Sequence, residues 1–158
     1  MGQFTEDRKY WYLFANYFVV ECPVCKGPAE ILPKVDWVSK KMLSTQRKLL
    51  CSSCGYFEQS RPKSIMRMNI DCDWVFGYPL FLKADCCGKE LVAYNIEHLN
   101  YLRSIVAGKQ RSRRKNSEYG WSNGSVLSRL PSWIKAAKNR EKILKVIDRL
   151  TCRVHKYS

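Results

Sequence analysis

Cysteines pair up in VVECPVCKGPAEIL (residues 19–32) and again in LLCSSCGYFEQS (residues 49–60), with two residues inside each pair. Cys22 and Cys25 form the first pair, and Cys51 and Cys54 form the second. Two intervening residues allow a tight turn to point both sulfurs at one position, and two such turns make a tetrahedral site that suits zinc. Four thiolates leave no open coordination position, so we predict one structural zinc ion.

Two other uses of cysteine pairs fit this pattern less well. A disulfide framework needs an oxidising compartment, which nothing in the sequence indicates. A redox dithiol uses one C-x-x-C motif near a βαβ pattern, whereas this chain has two matched pairs. Gly27 and Gly55 follow the pairs, and we expect them to let the chain turn back. AEILP and RKLL are predicted hairpin strands, with DWVSKKMLST as an extended loop between them.

The overall composition favours one folded domain. The chain has 158 residues, and its 46% of apolar side chains can bury a real core. It has no run of about 18 uninterrupted apolar residues, so no membrane span is expected. The first residues lack an apolar stretch followed by a small-residue cleavage site, so no signal peptide is expected either. We therefore predict a cytoplasmic protein.

Alternation of apolar and polar residues predicts strands through the first two thirds of the chain. YWYLFANYFVV (residues 10–20) is interpreted as a buried strand or strand pair, and SIMRMNIDCDWVF, YPLFLKA and ELVAYN as further strands. In SIMRMNIDCDWVF, the alternation places Cys72 and Trp74 on the buried face and Asp71 and Asp73 on the exposed face. FGYP and CCGK are the predicted turns.

Helical spacing begins at residue 95. Apolar residues recur every three or four positions up to residue 107, with Asn95 as the N-cap, His98 within the helix and Gly108 as the stop. A second helical region starts at Pro131 or Ser132 and is expected to break or bend where Asn139 caps a second helix. The predicted class is α+β, an N-terminal zinc ribbon and small antiparallel sheet followed by C-terminal helices. We predict a single compact domain over residues 1–158, divided into a zinc-ribbon part (18–60), β-strands plus a helix (61–108), a basic mobile loop (109–125) and basic C-terminal helices (126–158).

The positive charge is concentrated near the C-terminus. The formal charge is +14, and residues 103–158 hold 15 of the 28 Lys and Arg side chains but 3 of the 14 acidic ones. Such a segment implies an anionic partner, whereas solubility alone needs only a modest net charge. The predicted partner-binding residues lie in the loop and along one helical stripe: Lys109, Arg111, Arg113, Arg114, Lys115, Lys135, Lys138, Lys142, Lys145 and Arg149.

Nucleic acid is the favoured partner, and an acidic protein surface is the alternative. Arginine's planar fork suits phosphates and carboxylates alike. An ordinary solvated helix face mixes charges of both signs, yet Glu141 and Lys145 form the one clear pair here. The sequence has no recognition-helix signature or RNA-binding aromatic motif, so backbone contact with strong salt dependence is expected.

The chain resembles a known group in these stretches. The two cysteine stretches look like a zinc ribbon of the TFIIB type found in small stand-alone bacterial proteins. FGYPLFLKADCCGKELVAYNIEHLNYL (residues 76–102) and SVLSRLPSWIKAAKNREKIL (residues 125–144) are similar to the rest of those proteins. The resemblance implies a zinc-binding, non-enzymatic bacterial protein and does not imply a transcription initiation factor.

Enzymatic activity is not predicted. The sequence has no glycine-rich phosphate loop and no H-E-x-x-H motif, and its two histidines are His98 and His155. A nucleophilic pair of Cys86 or Cys87 with His98 is the remaining enzyme hypothesis. The other alternative is an immunity or interaction protein that neutralises a cognate toxin or binds an acidic protein. No small-molecule substrate and no membrane partner are expected.

Four cysteines remain outside the predicted zinc site. Cys86 and Cys87 precede Gly88 as in a metal-binding turn, but the positions that would supply its first ligand are Lys83 and Ala84. A tight turn with one buried cysteine is therefore the favoured interpretation. The alternative is a second metal site, with ligands drawn from Cys72, Cys86, Cys87, His98, Cys152 and His155.

Overall fold

The structure is a computed structural model, and it describes residues 4–5, 11–33, 46–60, 71–108, 111–112 and 130–157. Its strands in chain order are β1 (Phe4–Thr5), β2 (Phe18–Glu21), β3 (Pro28–Pro33), β4 (Arg47–Leu50), β5 (Phe57–Gln59), β6 (Leu82–Cys86), β7 (Lys89–Ala93) and β8 (Arg111–Ser112). Its helices are α1 (Ile96–Ala107), α2 (Ser132–Lys135) and α3 (Arg140–His155), with 3-10 turns over Trp11–Asn16 and Ala137–Asn139. Antiparallel sheets followed by helices confirm the predicted α+β class.

The cysteine pairs lie on a four-stranded antiparallel sheet in the order β2-β3-β4-β5. The predicted hairpin of AEILP with RKLL is present as β3 and β4, where Ile31 faces Leu49 across the pair. Both side chains are fully buried because alternate residues of a strand share one face. The extended loop predicted over residues 36–45 lies outside the described residues.

Strand β2 separates two apolar cores. Phe18 and Val20 pack under the four-stranded sheet with Trp74 and Leu80. Val19, on the opposite face of β2, packs in a second core formed by β6, β7, α1 and α3. The backbone of Val19 also donates to the carbonyl of Tyr94 and accepts from Phe81 N–H, which joins the two sheets along this strand.

The segment before β2 is not the strand that its apolar run predicted. Trp11–Asn16 forms a 3-10 turn, and β2 begins two residues later. The Asn95 side chain donates to the carbonyls of Phe14 and Tyr17, and Asn16 Oδ1 accepts from the N–H of Tyr17. These backbone groups therefore have side-chain partners where a strand would need a neighbouring strand.

The prediction that Asp73 is exposed is wrong. Its carboxylate is buried and accepts from the N–H groups of Val75, Phe76 and Tyr78, at 2.6–2.7 Å. Residues 73–78 thus form a loop closed by this carboxylate, where the alternation had predicted a continuous strand. Trp74 is buried as predicted.

The C-terminal half follows its sequence signals closely. Asn95 caps α1, because its Oδ1 accepts from the N–H of His98, and Gly108 follows the last helical residue. The predicted break between the final helices is present, but Asn139 makes no capping bond and donates instead to the carbonyl of Trp133. Across the described segments, no helix has both the length and the apolar character to cross a membrane.

Candidate metal centre

The four predicted zinc ligands converge on one point. The sulfurs of Cys22 and Cys54 are 3.6 Å apart, and those of Cys25 and Cys51 are 3.5 Å apart. All four lie within 4.8 Å of one another. Each pairing joins one turn to the other, so the site links the β2–β3 and β4–β5 turns. The residues are therefore positioned to bind one metal ion.

The two cysteine turns repeat the same backbone pattern. The N–H of Lys26 donates to the carbonyl of Cys22, and the N–H of Gly55 donates in the same way to Cys51. Both residues have positive φ, 63° at Lys26 and 77° at Gly55. Gly55 supplies the predicted freedom to turn back, but in the first turn Lys26 takes that conformation, so the role predicted for Gly27 is wrong.

The absence of a side chain at Gly27 instead allows Tyr157 to pack closely against this turn. A Cβ atom at this position would lie 3.3 Å from the Tyr157 ring and 3.4 Å from Cys25 Sγ. Tyr157 follows α3 and also contacts the Phe81 ring edge-on. The end of the chain therefore packs directly against a cysteine turn, a contact that sequence spacing gives no means to detect.

Burial and hydrogen bonds divide the ligands into two kinds. Cys22 and Cys51 are buried at the base of the site, while Cys25 and Cys54 are exposed. The N–H of Val24 donates to Cys22 Sγ, at 3.4 Å. Burial opposes ionisation of Cys51, but the Cys54 N–H and the Cys25 thiol outweigh it and lower the pKa of Cys51 to about 7.

The remaining thiols show why a cation is needed. The Tyr56 N–H favours ionisation of Cys54, but burial and the neighbouring sulfurs of Cys22 and Cys51 outweigh it and raise the pKa of Cys54 to about 12. Four sulfurs this close cannot all ionise without a compensating positive charge. A bound metal supplies that charge and displaces the protons. The soft, four-sulfur donor set fits zinc.

The predicted partner-binding residues fall into three groups. On and before α3, Lys138, Lys142, Lys145 and Arg149 are exposed, whereas Lys135 is half-buried. Arg111 lies in β8, which pairs in parallel with β1. Loop residues outside the described residues are Lys109, Arg113, Arg114 and Lys115.

Two other cations of the C-terminal region have structural partners. Arg140 donates to the carbonyls of Val106 and Gly108 and so holds α3 against the end of α1. Arg153 donates to the carbonyl of Phe81, and its guanidinium lies 4.3 Å from that ring's centroid. The charge count alone could not distinguish these arginines from exposed ones.

The candidates for a second metal site do not converge. All six are described, yet no three of them form a cluster of the kind made by Cys22, Cys25, Cys51 and Cys54. His98 is half-buried between the rings of Phe14 and Tyr94, and its Nδ1 accepts from the Tyr94 N–H. It makes no hydrogen bond with Cys86 or Cys87, so the geometry gives no support to a Cys–His nucleophile.

Comparisons with known proteins leave the residues as the sole guide to function. No protein-family model matches the chain, and searches of curated proteins and of solved structures gave no significant match.

Proposed function

We propose that this is a non-enzymatic zinc-ribbon protein that binds the backbone of nucleic acids through a basic surface on its last helix. The observation that carries the proposal is the row of exposed cations on α3 and on the turn that precedes it. The zinc ion would be structural, since four protein thiolates complete its tetrahedral coordination.

The cationic row is defined by helical spacing. Lys138, Lys142, Lys145 and Arg149 recur at intervals of four, three and four residues and are all exposed. Ile143, Val146, Ile147 and Leu150 are buried on the opposite face. At 1.5 Å per residue, Lys142 to Arg149 spans about 10 Å. We call these four exposed cations the basic row.

The basic row is not neutralised within the described part of the chain. The ion pair there joins Arg103 to Asp148, which lies beside the row, and none of the four row residues takes part in it. A row of uncompensated cations attracts a polyanion and releases its counterions on binding. Arg111 and the other cations of residues 109–115 would extend the contact, since arginine suits phosphate oxygens.

A salt titration with matched variants tests this proposal. We expect binding to both duplex DNA and single-stranded RNA that weakens steeply with salt. The double variant K145Q/R149Q should lower the slope of log K against log salt by about two. K48Q removes one charge from an exposed position on the four-stranded sheet and should bind like the unmodified protein, whereas K145Q alone should lower the slope by about one. Absence of binding at about 0.1 M salt, or equal loss in K48Q and K145Q, would contradict the proposal.

An acidic protein, such as a cognate toxin, is the second candidate partner. Leu50 and Phe57 face each other across β4 and β5 and remain 46% and 55% exposed, with Val24 on the nearby turn 63% exposed. Exposed apolar side chains of this size suit a protein contact better than a phosphate backbone. If nucleic acids fail to bind, capture of a partner that is lost on Phe57→Ser would favour an interaction or immunity role.

A further inference from the structure

The β6–β7 hairpin carries two thiols at its tip. Cys86 pairs with Lys89, so Cys87 and Gly88 form the two-residue turn predicted from the sequence. The sulfurs of Cys86 and Cys87 are 3.7 Å apart and contact each other. Cys86 is 5% exposed and Cys87 is exposed, so the pair is open to solvent on one side.

The backbone makes Cys87 an unusual choice at this position. Its φ is 55° and that of Gly88 is 73°. Turns with two positive φ values favour Asn, Asp or Gly at the first position, because other side chains strain the backbone there. The hairpin therefore holds a cysteine beside Cys86 where turn chemistry alone would select another residue.

A disulfide is a poor use of these two thiols. Consecutive Cα atoms lie about 3.8 Å apart across a trans peptide, below the usual range of about 4.4–6.8 Å for disulfides. Bringing the sulfurs into bonding contact would require distortion of the peptide unit between them. An atom inserted between the sulfurs avoids that distortion, because each sulfur then needs to reach only the inserted atom.

The surroundings of the pair also favour sulfur-bound ions. Burial raises the pKa of the Cys86 thiol to about 11, with the neighbouring Cys87 acting in the same direction, while Arg149 and Lys142 of α3 oppose the rise. The Cys86 thiol therefore keeps its proton until a strongly thiophilic atom displaces it.

We infer that Cys86 and Cys87 form a two-sulfur chelating site for a thiophilic ion of the trivalent arsenic class, separate from the four-cysteine centre. An arsenic(III) centre with two hydroxyl groups exchanges each As–O bond for an As–S bond. Each thiol proton leaves with a hydroxyl group as water, so two waters are released. Neither arsenic nor sulfur changes oxidation state.

Phenylarsine oxide is a suitable probe, added to the full chain loaded with zinc. Native mass spectrometry should show one arsenical bound per chain with the zinc ion retained. In C87N the asparagine tolerates the left-handed backbone but removes one sulfur, and we expect affinity to fall by more than about tenfold, since chelation is lost. C152S removes an exposed cysteine of α3 and should bind like the unmodified protein.

Two results would overturn the inference. One is unchanged binding by C87N, and the other is loss of zinc with every arsenical bound, which would place the arsenical on the four-cysteine centre. C86S changes a buried side chain and could unfold, so the exposed Cys87 decides the outcome. A Cys87→Gly variant checks the backbone argument separately: it should be at least as stable as the unmodified protein and should also lose chelation.

Discussion

The four-stranded sheet and the layer formed by β6, β7, α1 and α3 differ in what holds them together. The sheet has strands of three to six residues, and the four sulfurs of its two cysteine turns lie within 4.8 Å of one another. The helical layer packs a continuous apolar core in which Leu99, Leu102, Ile143 and Ile147 are buried. The sheet also buries an apolar core, including Phe18, Ile31 and Leu49, but its strands are short, so we expect it to need a metal at the four sulfurs in addition to apolar burial.

The two regions are nevertheless joined at specific contacts. β2 contributes side chains to both cores, and Tyr157 at the end of α3 reaches Gly27 beside the cysteine turn. Loss of the metal should therefore disorder the sheet first and loosen the end of α3 second. Variants in each region, and at the contacts between them, should separate these contributions to stability.

The largest effect is expected from removal of one buried metal ligand. Cys51→Ser should abolish stoichiometric zinc binding and unfold the four-stranded sheet, because metal-binding energy on the order of 10 kcal/mol is also folding energy. Zinc content by native mass spectrometry and backbone hydrogen exchange measure both. C152S is the matched control at an exposed cysteine. A folded sheet in zinc-free C51S would show that the strands hold themselves.

The second-largest effect is expected on the stability of the helical layer. Ile147→Ala should lower the free energy of unfolding by about 2–5 kcal/mol, because it leaves a cavity at a fully buried position. Chemical denaturation measures the loss, and Ile147→Val, expected at about 0.5–1.5 kcal/mol, is its graded control. Zinc stoichiometry should be unchanged in both variants. Loss of zinc in I147A would mean that the sheet depends on the layer as well as on its metal.

His98, which packs beside Tyr94 between the two regions, should make the free energy of unfolding depend on pH. Burial lowers the pKa of His98 to about 4, so the unfolded chain binds this proton more tightly than the folded one. Its stabilising contribution is complete above the unfolded pKa, near 6.5, and is lost as pH falls towards 4. Between pH 7 and pH 5 the loss should be about 2 kcal/mol.

His98→Gln keeps a hydrogen-bond acceptor but cannot titrate, so it isolates this contribution. The difference in unfolding free energy between the unmodified protein and H98Q should change by that amount over the same pH interval. Because the variant shares the four-cysteine centre, acid release of metal affects both proteins alike. A constant difference across the interval would contradict the neutral histidine.

The smallest effect is expected at the contact between the regions. Gly27→Ala places a methyl group 3.3 Å from the ring of Tyr157, which is 48% exposed and can move outward. We expect a loss below about 1 kcal/mol, together with faster hydrogen exchange near the end of α3. Tyr157→Ala should reproduce the change in exchange. Equal exchange in all three proteins would mean that the contact does not couple the regions.

Local signals were sufficient for the parts of the molecule built from neighbouring residues. The C-x-x-C spacing predicted the four ligands, the AEILP and RKLL runs predicted the β3–β4 hairpin, and Asn95 predicted the start of α1. In each case the deciding interactions lie within a few residues, as in a turn or a cap. The sequence also predicted a basic stripe from helical spacing, made of Lys135, Lys138, Lys142, Lys145 and Arg149. The structure leaves the last four exposed and Lys135 half-buried.

Distant contacts decided the rest, and no local pattern contains them. Asp73 is buried because three backbone N–H groups and an apolar core surround it, although its place in the alternation predicted exposure. Trp11–Asn16 forms a 3-10 turn because the side-chain amide of Asn95, some 80 residues away, donates hydrogen bonds to the carbonyls of Phe14 and Tyr17.

The sequence by itself determined the class of fold, the four cysteines and the helix that carries the basic row. Tertiary structure decided which other cysteines come into contact, which arginines donate to backbone carbonyls, and that the Tyr157 ring packs against Gly27. The physical reason is the range of the interactions: turns and caps form within one stretch of chain, whereas burial depends on what the folded chain brings against it.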